Sequence, residues 1–252
     1  MTHRLINRML PLYGLAFALL GWWLGVSLLA HTLPIASSLG PIPTFEALQR
    51  LLQDGYFYDH IQLSLQRVWV GLLFAVLIGI PLGILTGMSR CFARASSPLF
   101  QFMRMISPLS WMPIAVMVLG VGNAPVYFLL AFAAIWPILL NTATGVGQLD
   151  KNWLLLSQSL SATRSELVLR LVLPGITAHI LTGVRLAIGI IWIVLVPAEM
   201  LGVTAGLGYF ILDTRDRLAY DELMAGILVI GLIGFLLDWF ARWLYRLWTH
   251  DR

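Results

Sequence analysis

Six apolar runs of about 20 residues constrain this chain more than any other feature, because each is long enough to cross roughly 30 Å of hydrocarbon as a helix. They lie at about 10–30, 65–88, 100–120, 124–146, 180–201 and 223–243. Strands of a membrane barrel would instead alternate apolar and polar residues over about 10 positions. Only 11% of the residues are charged and 59% are hydrophobic, against roughly 25% charged in an ordinary soluble domain. Such a chain lacks the polar surface to stay in water. The expected fold class is an all-α membrane protein with six transmembrane helices.

The first run follows Arg4 and Arg8 as a signal peptide would, but it is too long and no A-x-A site closes it, so a retained first helix is expected. Residues 31–62, with Pro34, Pro41, Pro43, Asp54 and Asp59, form the longest loop outside the membrane. They leave room for a short amphipathic helix over about 44–53. Pro108 and Pro113 interrupt the third run, which predicts a kinked or discontinuous span. With no tandem repeat, low-complexity segment or linker, residues 1–252 read as one domain.

Orientation follows from the basic residues. The side holding both termini carries 11: Arg4, Arg8, Arg90, Arg94, Arg104, Lys151, Arg164, Arg170, Arg242, Arg246 and Arg252. The other side carries 4, namely Arg50, Arg67, Arg215 and Arg217, while Arg185 lies just inside the fifth run. The positive-inside rule then puts both termini in the cytoplasm. Trp22, Trp23, Trp69, Trp239, Trp243 and Trp248 fall near run ends, where amphipathic rings anchor at the interface. The net charge of +4 is therefore a membrane signature and does not call for a nucleic-acid partner. One cysteine, Cys91, excludes an internal disulfide and is expected in a loop or at the interface; the five histidines are scattered along the chain without metal-site spacing.

The stretch LLLSQSLSATRSELVLRLVLPG, residues 154–175, is nearly as apolar as a span, yet it carries Arg164, Glu166 and Arg170. Crossing the bilayer would cost roughly 2.5 to 3.5 kcal/mol for each arginine near the centre, so the segment is read as cytoplasmic. Thr163 to Glu166 matches the capping box T-x-x-E, which predicts a helix starting at about Arg164. Pro174 disfavours helical geometry at Leu173, which predicts that this helix ends there. Upstream, residues 151–160 form a first short helix with Leu154, Leu155, Leu156 and Leu160 as its apolar surface. Exposed leucines on such a hairpin need cover, either from the chain's own helix ends or from a partner.

These residues resemble the permease subunits of ABC importers. That family's signature, in the cytoplasmic loop before the penultimate span, is E-A-A, three residues, G, nine residues, then I-x-L-P. With its proline on Pro174, its Leu falls on Leu173, its Ile on Leu171, its Gly on Ser161, and E-A-A on Leu155, Leu156 and Ser157. Leu160, Ala162 and Arg164 lie in the same loop. The stretches SPLSWMPIAVMVLGVG (107–122), SLSATRSELVLRLVLPGITAHILTGVRLAIGIIW (159–192) and AEMLGVTAGLGYFI (198–211) look like the permeases that import nitrate, bicarbonate, taurine and aliphatic sulfonates. IWPILLNTATGVGQL (135–149) leans toward the nitrate and bicarbonate branch.

The resemblance covers roughly residues 60–245 and leaves 1–59 as a first span and a periplasmic loop. It implies a type I ABC importer permease fold in a bacterial inner membrane, working by alternating access, with residues 155–174 as the coupling helix. The implied partners are two cytoplasmic ATP-binding subunits, a periplasmic or lipid-anchored binding protein and a second permease copy. ATP and Mg would sit on the partner ATPase and no cofactor in this chain; the only lysine, Lys151, lacks the G-x-x-x-x-G of a P-loop. Two departures stand out. E-A-A is replaced, and Ser161 in place of Gly costs on the order of 1 kcal/mol if that position is left-handed.

Met112, Asn141, Glu199, Gly206 and Gly208 are the candidates for a translocation path or gate. Glu199 is expected to be structural there and paired with an arginine, and the glycines after it permit a tight bend and close backbone approach. Asn123, Thr142 and Thr144 offer hydrogen bonds in or beside a pore or between helices. Asp238 and Arg242 sit at i and i+4 as a structural pair, Arg185 as an interface anchor, and Met103, Met105, Met112 and Met117 as filler in the core. Few charged residues are left to line a path, which suggests that anion selection lies in the binding protein. A secondary transporter or channel is the competing class, and it would need an intramembrane charge relay that the spans scarcely offer.

Overall fold

The computed structural model describes residues 2–250, with side chains described for all of these except 2–9, 11, 12, 34, 151, 154, 158 and 248–250. The expectations for His3, Arg4, Arg8, Lys151, Leu154, Trp248, His250 and Arg252 fall outside the described residues and side chains. The chain runs through α1 (Thr2–Ala30), α2 (Pro41–Leu51), α3 (Gly55–Met88), α4 (Arg90–Met105), α5 (Met112–Leu119), α6 (Asn123–Gly147), α7 (Lys151–Ser159), α8 (Arg164–Glu166), α9 (Leu173–Gly202), α10 (Leu207–Asp216) and α11 (Tyr220–His250). No strand occurs among the described residues. Among the described residues five helical stretches are long and apolar enough to cross a membrane, six when the pair bent by 89°, Arg90–Met105 with Pro108–Leu119, is counted as one span.

The chain forms two compact units. The first joins Met1–His60 with Phe210–Gly231. Pro41 sits in the first turn of α2, where its missing N–H costs nothing, and starts that helix three residues earlier than the sequence predicted. α2 buries Thr44, Ala47 and Leu51 along one face, as an amphipathic helix should. Trp22 donates from its indole to the Leu39 carbonyl at 3.0 Å, Phe57 packs on Phe210 at 4.9 Å between ring centroids, and Arg50 pairs with Asp221 at 2.5 Å.

The second unit joins Ile61–Tyr209 with Leu232–Arg252. Its core gathers Val68, Leu72 and Ala75 of α3, Val126, Leu129, Leu130, Ala134 and Ile138 of α6, and Ala187, Ile191 and Leu195 of α9. Hydrophobicity does not hold helices together in a bilayer, so close van der Waals packing must do so. α3 meets α6 along Gly79, Gly83 and Gly87, spaced as G-x-x-x-G-x-x-x-G. A Cβ on Gly83 would lie 2.6 Å from the Thr142 Cβ and 2.7 Å from the Leu139 carbonyl oxygen; one on Gly87 would lie 2.5 Å from the Val146 Cβ. Only glycine lets the backbones come this near.

Several expectations need correction. α3 begins at Gly55, so residues 55–62, read as loop, are the first turns of a 34-residue helix. Residues 90–99, also read as loop, form most of α4: Ser89 caps it by accepting from the Phe92 N–H, and Cys91 lies exposed in its first turn. α10 was not expected at all. The third span does break, at Ile106 and Ser107, ahead of Pro108. Met105 and Met117 are 78% and 85% exposed on the chain and fill no core, whereas Met112 is buried.

Pro174 does not end a helix. Residues Leu167–Val172 adopt a π-helix, in which the Leu173 N–H reaches back to the Val168 carbonyl, and α9 follows without a break. Proline here occupies the first turn of α9, where the missing N–H is tolerated, and the wider π turn precedes it. The result is a continuous helical stretch of 39 residues from Arg164 to Gly202.

Candidate functional site

At one end of the second unit, Ser64 and Arg67 of α3, Asn123 at the start of α6 and Glu199 near the end of α9 converge on the turn that leads into α10. Arg67, Glu199 and Ser64 are 1%, 0% and 0% exposed. The Arg67 Nη1 donates to Glu199 Oε1 and to the Ala205 carbonyl, both at 2.6 Å. Its Nε and Nη2 donate to Asn123 Oδ1 at 2.9 and 2.8 Å. The Ser64 hydroxyl donates to the carboxylate at 2.8 and 2.9 Å and accepts from the Leu207 N–H at 2.8 Å, and the Gly208 N–H donates to Glu199 Oε2 at 2.8 Å. A buried ion pair survives desolvation only when most of its remaining donors and lone pairs are used, and here four of the five Arg67 N–H groups and both Glu199 oxygens are bonded.

The glycines belong to the same construction. Gly206 has φ +120°, a region L side chains avoid, and a Cβ there would collide with the Arg67 guanidinium and lie 2.6 Å from Glu199 Oε1. A Cβ on Gly208 would lie 2.7 Å from the Glu199 Cβ. The expected arginine partner of Glu199 is thus Arg67. Charge counting had placed Arg67 outside the membrane, but it is buried among the helices. The available signal was its position two residues into the second apolar run, where an arginine needs a partner.

At the opposite end of this unit, Ile84 of α3, Val146 of α6, Val172 and Ile176 cluster beside the hairpin of α7 and α8. The capping box is present as read: the Thr163 hydroxyl accepts from the Glu166 N–H at 3.3 Å, and Glu166 Oε2 accepts from the Thr163 N–H at 3.0 Å. The Thr163 N–H, and after it the Thr163 hydroxyl donating to Glu166 Oε2 at 2.8 Å, hold the Glu166 carboxyl below the usual range. α7 ends in a left-handed turn at Ser161, φ +52°, with the Ala162 N–H bonded to the Ser157 carbonyl at 3.0 Å, a Schellman closure. Ser161→Gly is therefore expected to stabilise the turn by about 1 kcal/mol, seen as slower hydrogen exchange at the Ala162 amide.

Between α7 and the π segment lies a groove of about 380 Å³ lined by Trp153, Leu156, Ser157, Leu160, Glu166 and Arg170. Leu155, Leu156 and Leu160 are 60%, 50% and 74% exposed, so the chain's own helix ends do not cover them. Leu171, Leu173 and Pro174 are half-buried; Ala162 and Arg164 are exposed.

Of the path candidates, the structure brings Glu199, Gly206 and Gly208 together. Met112 packs under Gly202 one turn further along α9. Asn141 lies elsewhere, at the α6–α9 contact beside Gly183, with its amide donating to the Pro137 carbonyl at 2.8 Å. Asp238 pairs with Arg242 as expected, and Arg185 of α9 also faces it, Nε to Oδ1 at 3.6 Å.

Membrane helices around a broken span, with a charged network at one end and an exposed hairpin at the other, define a transport permease. A family model, binding-protein-dependent transport system inner membrane component, matches residues 79–250, more than half of the chain. The chain belongs to that family, and within it to the ABC importer permeases of the nitrate, bicarbonate and taurine type. It is 36% identical to the bicarbonate transport system permease protein CmpB of Synechococcus elongatus, over 97% of this chain and 90% of that one. It is 33% identical to the taurine transport system permease protein TauC of Escherichia coli, over 92% and 86%, and 32% identical to the nitrate import permease protein NrtB of Synechocystis sp., over 94% and 88%. Its fold is that of permeases in solved structures. A bacterial alginate ABC transporter superposes with a TM-score of 0.68 over 96% of both chains at 16% identity, and the MetNI methionine ABC transporter with 0.61 over 73% of this chain and 92% of that one, also at 16% identity.

Proposed function

We propose that this chain is the membrane-spanning subunit of an ATP-driven importer for a small oxyanion or sulfonate such as nitrate, bicarbonate or taurine, with both termini cytoplasmic. The exposed hairpin, joined without a break to α9, carries this reading. An ATPase seated on Leu155, Leu156 and Leu160 would pull on a 39-residue helix whose far end holds Glu199. Alternating access then follows: closure of two ATPases moves α7 and α8, α9 transmits the motion, and the Arg67–Glu199 network keeps the outer ends of α3, α6 and α9 moving as one body. A periplasmic or lipid-anchored binding protein delivers the anion, a second copy of the chain completes the path, and ATP with Mg stays on the ATPase.

A mild-detergent pull-down of the tagged chain from its native membrane tests this. The expected result is an ATPase at one copy per permease. Leu156→Asp and Leu160→Asp are each expected to cut that recovery about tenfold or more, since burying a leucine contributes roughly 1.5–3 kcal/mol, while membrane insertion is unchanged. Equal recovery for wild type and both variants would remove the hairpin from the interface. A chain recovered alone that moves solute without ATP would be a secondary transporter or channel.

A further inference from the structure

α4 differs from the spans around it. Arg90, Arg94, Ser97, Gln101 and Arg104 recur at steps of four and three residues, so they share one helix face, and α4 contains no carboxylate. Among the described residues none of its three arginines has an acidic partner within ion-pair distance. In membrane proteins such arginines face the bundle interior or water rather than lipid.

The Arg104 end of this stripe opens on a cleft of about 240 Å³ between α3, α4 and α6, lined by Ser97, Gln101 and Arg104 together with Phe100 and Trp136. Trp136 lies midway along α6, 13 residues from Asn123 and 11 from Gly147. Its ring is held by Phe100 and Phe132, with centroids 6.0 and 5.5 Å away. Its Nε1–H is buried and has no acceptor among the described residues. Thr86, also at the cleft, already donates its hydroxyl to the Leu82 carbonyl at 2.7 Å, so it adds no donor.

We propose that this cleft is an oxyanion subsite on the translocation path. The Arg104 guanidinium, the Gln101 amide and the Ser97 hydroxyl bind a nitrate, bicarbonate or sulfonate group against the rings of Trp136 and Phe100, and Arg94 and Arg90 continue the path along α4. A guanidinium fork suits planar and tetrahedral oxyanions alike, and with no carboxylate on α4 there is no built-in competitor. Anion selection is then shared by the permease rather than left to the binding protein. The direction of travel rests on the importer reading; the binding does not.

Two readouts separate the two. In purified permease, titration with sodium nitrate against sodium chloride at constant ionic strength is expected to quench Trp136, a component identified by its loss in Trp136→Phe, which keeps the ring packing. Arg104→Gln should weaken that response at least tenfold, and Arg104→Lys less. In proteoliposomes containing the permease with the ATPase and binding protein recovered with it, labelled nitrate, bicarbonate and taurine are offered in turn. Arg104→Gln should lower import at least tenfold, and Arg104→Lys less. Identical nitrate titrations for wild type and Arg104→Gln overturn the subsite whether or not an ATPase assembles. A Trp136 response to phosphatidylglycerol vesicles but not to nitrate overturns it too, assigning the cleft to a lipid phosphate. A normal nitrate response in a chain that recruits no ATPase keeps the subsite and discards the importer.

Discussion

Glu199→Ala is expected to lower the thermal midpoint of the purified permease by roughly 10 °C. Removing one partner of a buried ion pair costs about 3–5 kcal/mol, because the other charge stays buried and uncompensated, and each kcal/mol moves the midpoint of a chain this size by about 2–4 °C. Arg67 is 1% exposed and spends Nη1 on Glu199, so the variant would strand it in the bundle. The Ser64 hydroxyl and Gly208 N–H would lose their acceptor as well. By contrast, Arg217→Ala removes a half-exposed charge paired with Asp213 and Glu222 and should cost no more than about 1 kcal/mol. The double variant Arg67→Met with Glu199→Gln should recover more than half of the loss, since a neutral amide can still accept from Gly208 and no unpaired charge remains. Differential scanning fluorimetry in one detergent reads all of these. A Glu199→Ala midpoint equal to that of Arg217→Ala would show that the network does not hold this end together.

Gly83→Leu should be nearly as damaging, for a steric reason. The first atom of any side chain there already overlaps Thr142 and the Leu139 carbonyl, and a backbone carbonyl cannot turn aside as a flexible side chain can. Forcing α3 off α6 costs at least the 1–3 kcal/mol typical of overpacking, and about that much again if the Gly79 and Gly87 contacts open with it. Gly189→Leu is the matched control: it lies within α9, has nothing within 4 Å of its Cβ position, and gains helix propensity of up to about 1 kcal/mol. Monodisperse yield and thermal midpoint should fall for the first and hold for the second. Equal behaviour would mean that the glycine seam does not set the α3–α6 distance.

Much of this protein was legible in local pattern. The apolar runs, the T-x-x-E box at Thr163 and the short amphipathic helix near residue 44 depend on neighbours a few residues apart; the box and the short helix appear within a few residues of where they were read, and each run lies in a helix or the bent pair, although α3 and α4 start about ten residues early. The glycines after Glu199 also announced a close approach. Local rules failed where a distant element changed the balance. Pro174 should end a helix by its own chemistry, yet the π turn before it and the packing of Val172 and Ile176 against Ile84 and Val146 carry the chain through. The G-x-x-x-G-x-x-x-G on α3 was in plain view, but nothing in it named α6 as the helix it would meet.

The charges divide in the same way. By itself the sequence determined that the chain enters a membrane, roughly where it crosses and which segments carry basic residues, because the cost of leaving water depends on composition over a 20-residue window. Only the tertiary structure decided which charge meets which. Arg67 and Glu199 are 132 residues apart in the chain and 2.6 Å apart in space. Arg104 was counted only among the basic residues of one side until α4 formed and brought it to the same cleft as Trp136. A pairing of this kind is decided by the packing of whole helices, because desolvation makes a charge tolerable only where the fold delivers its partner.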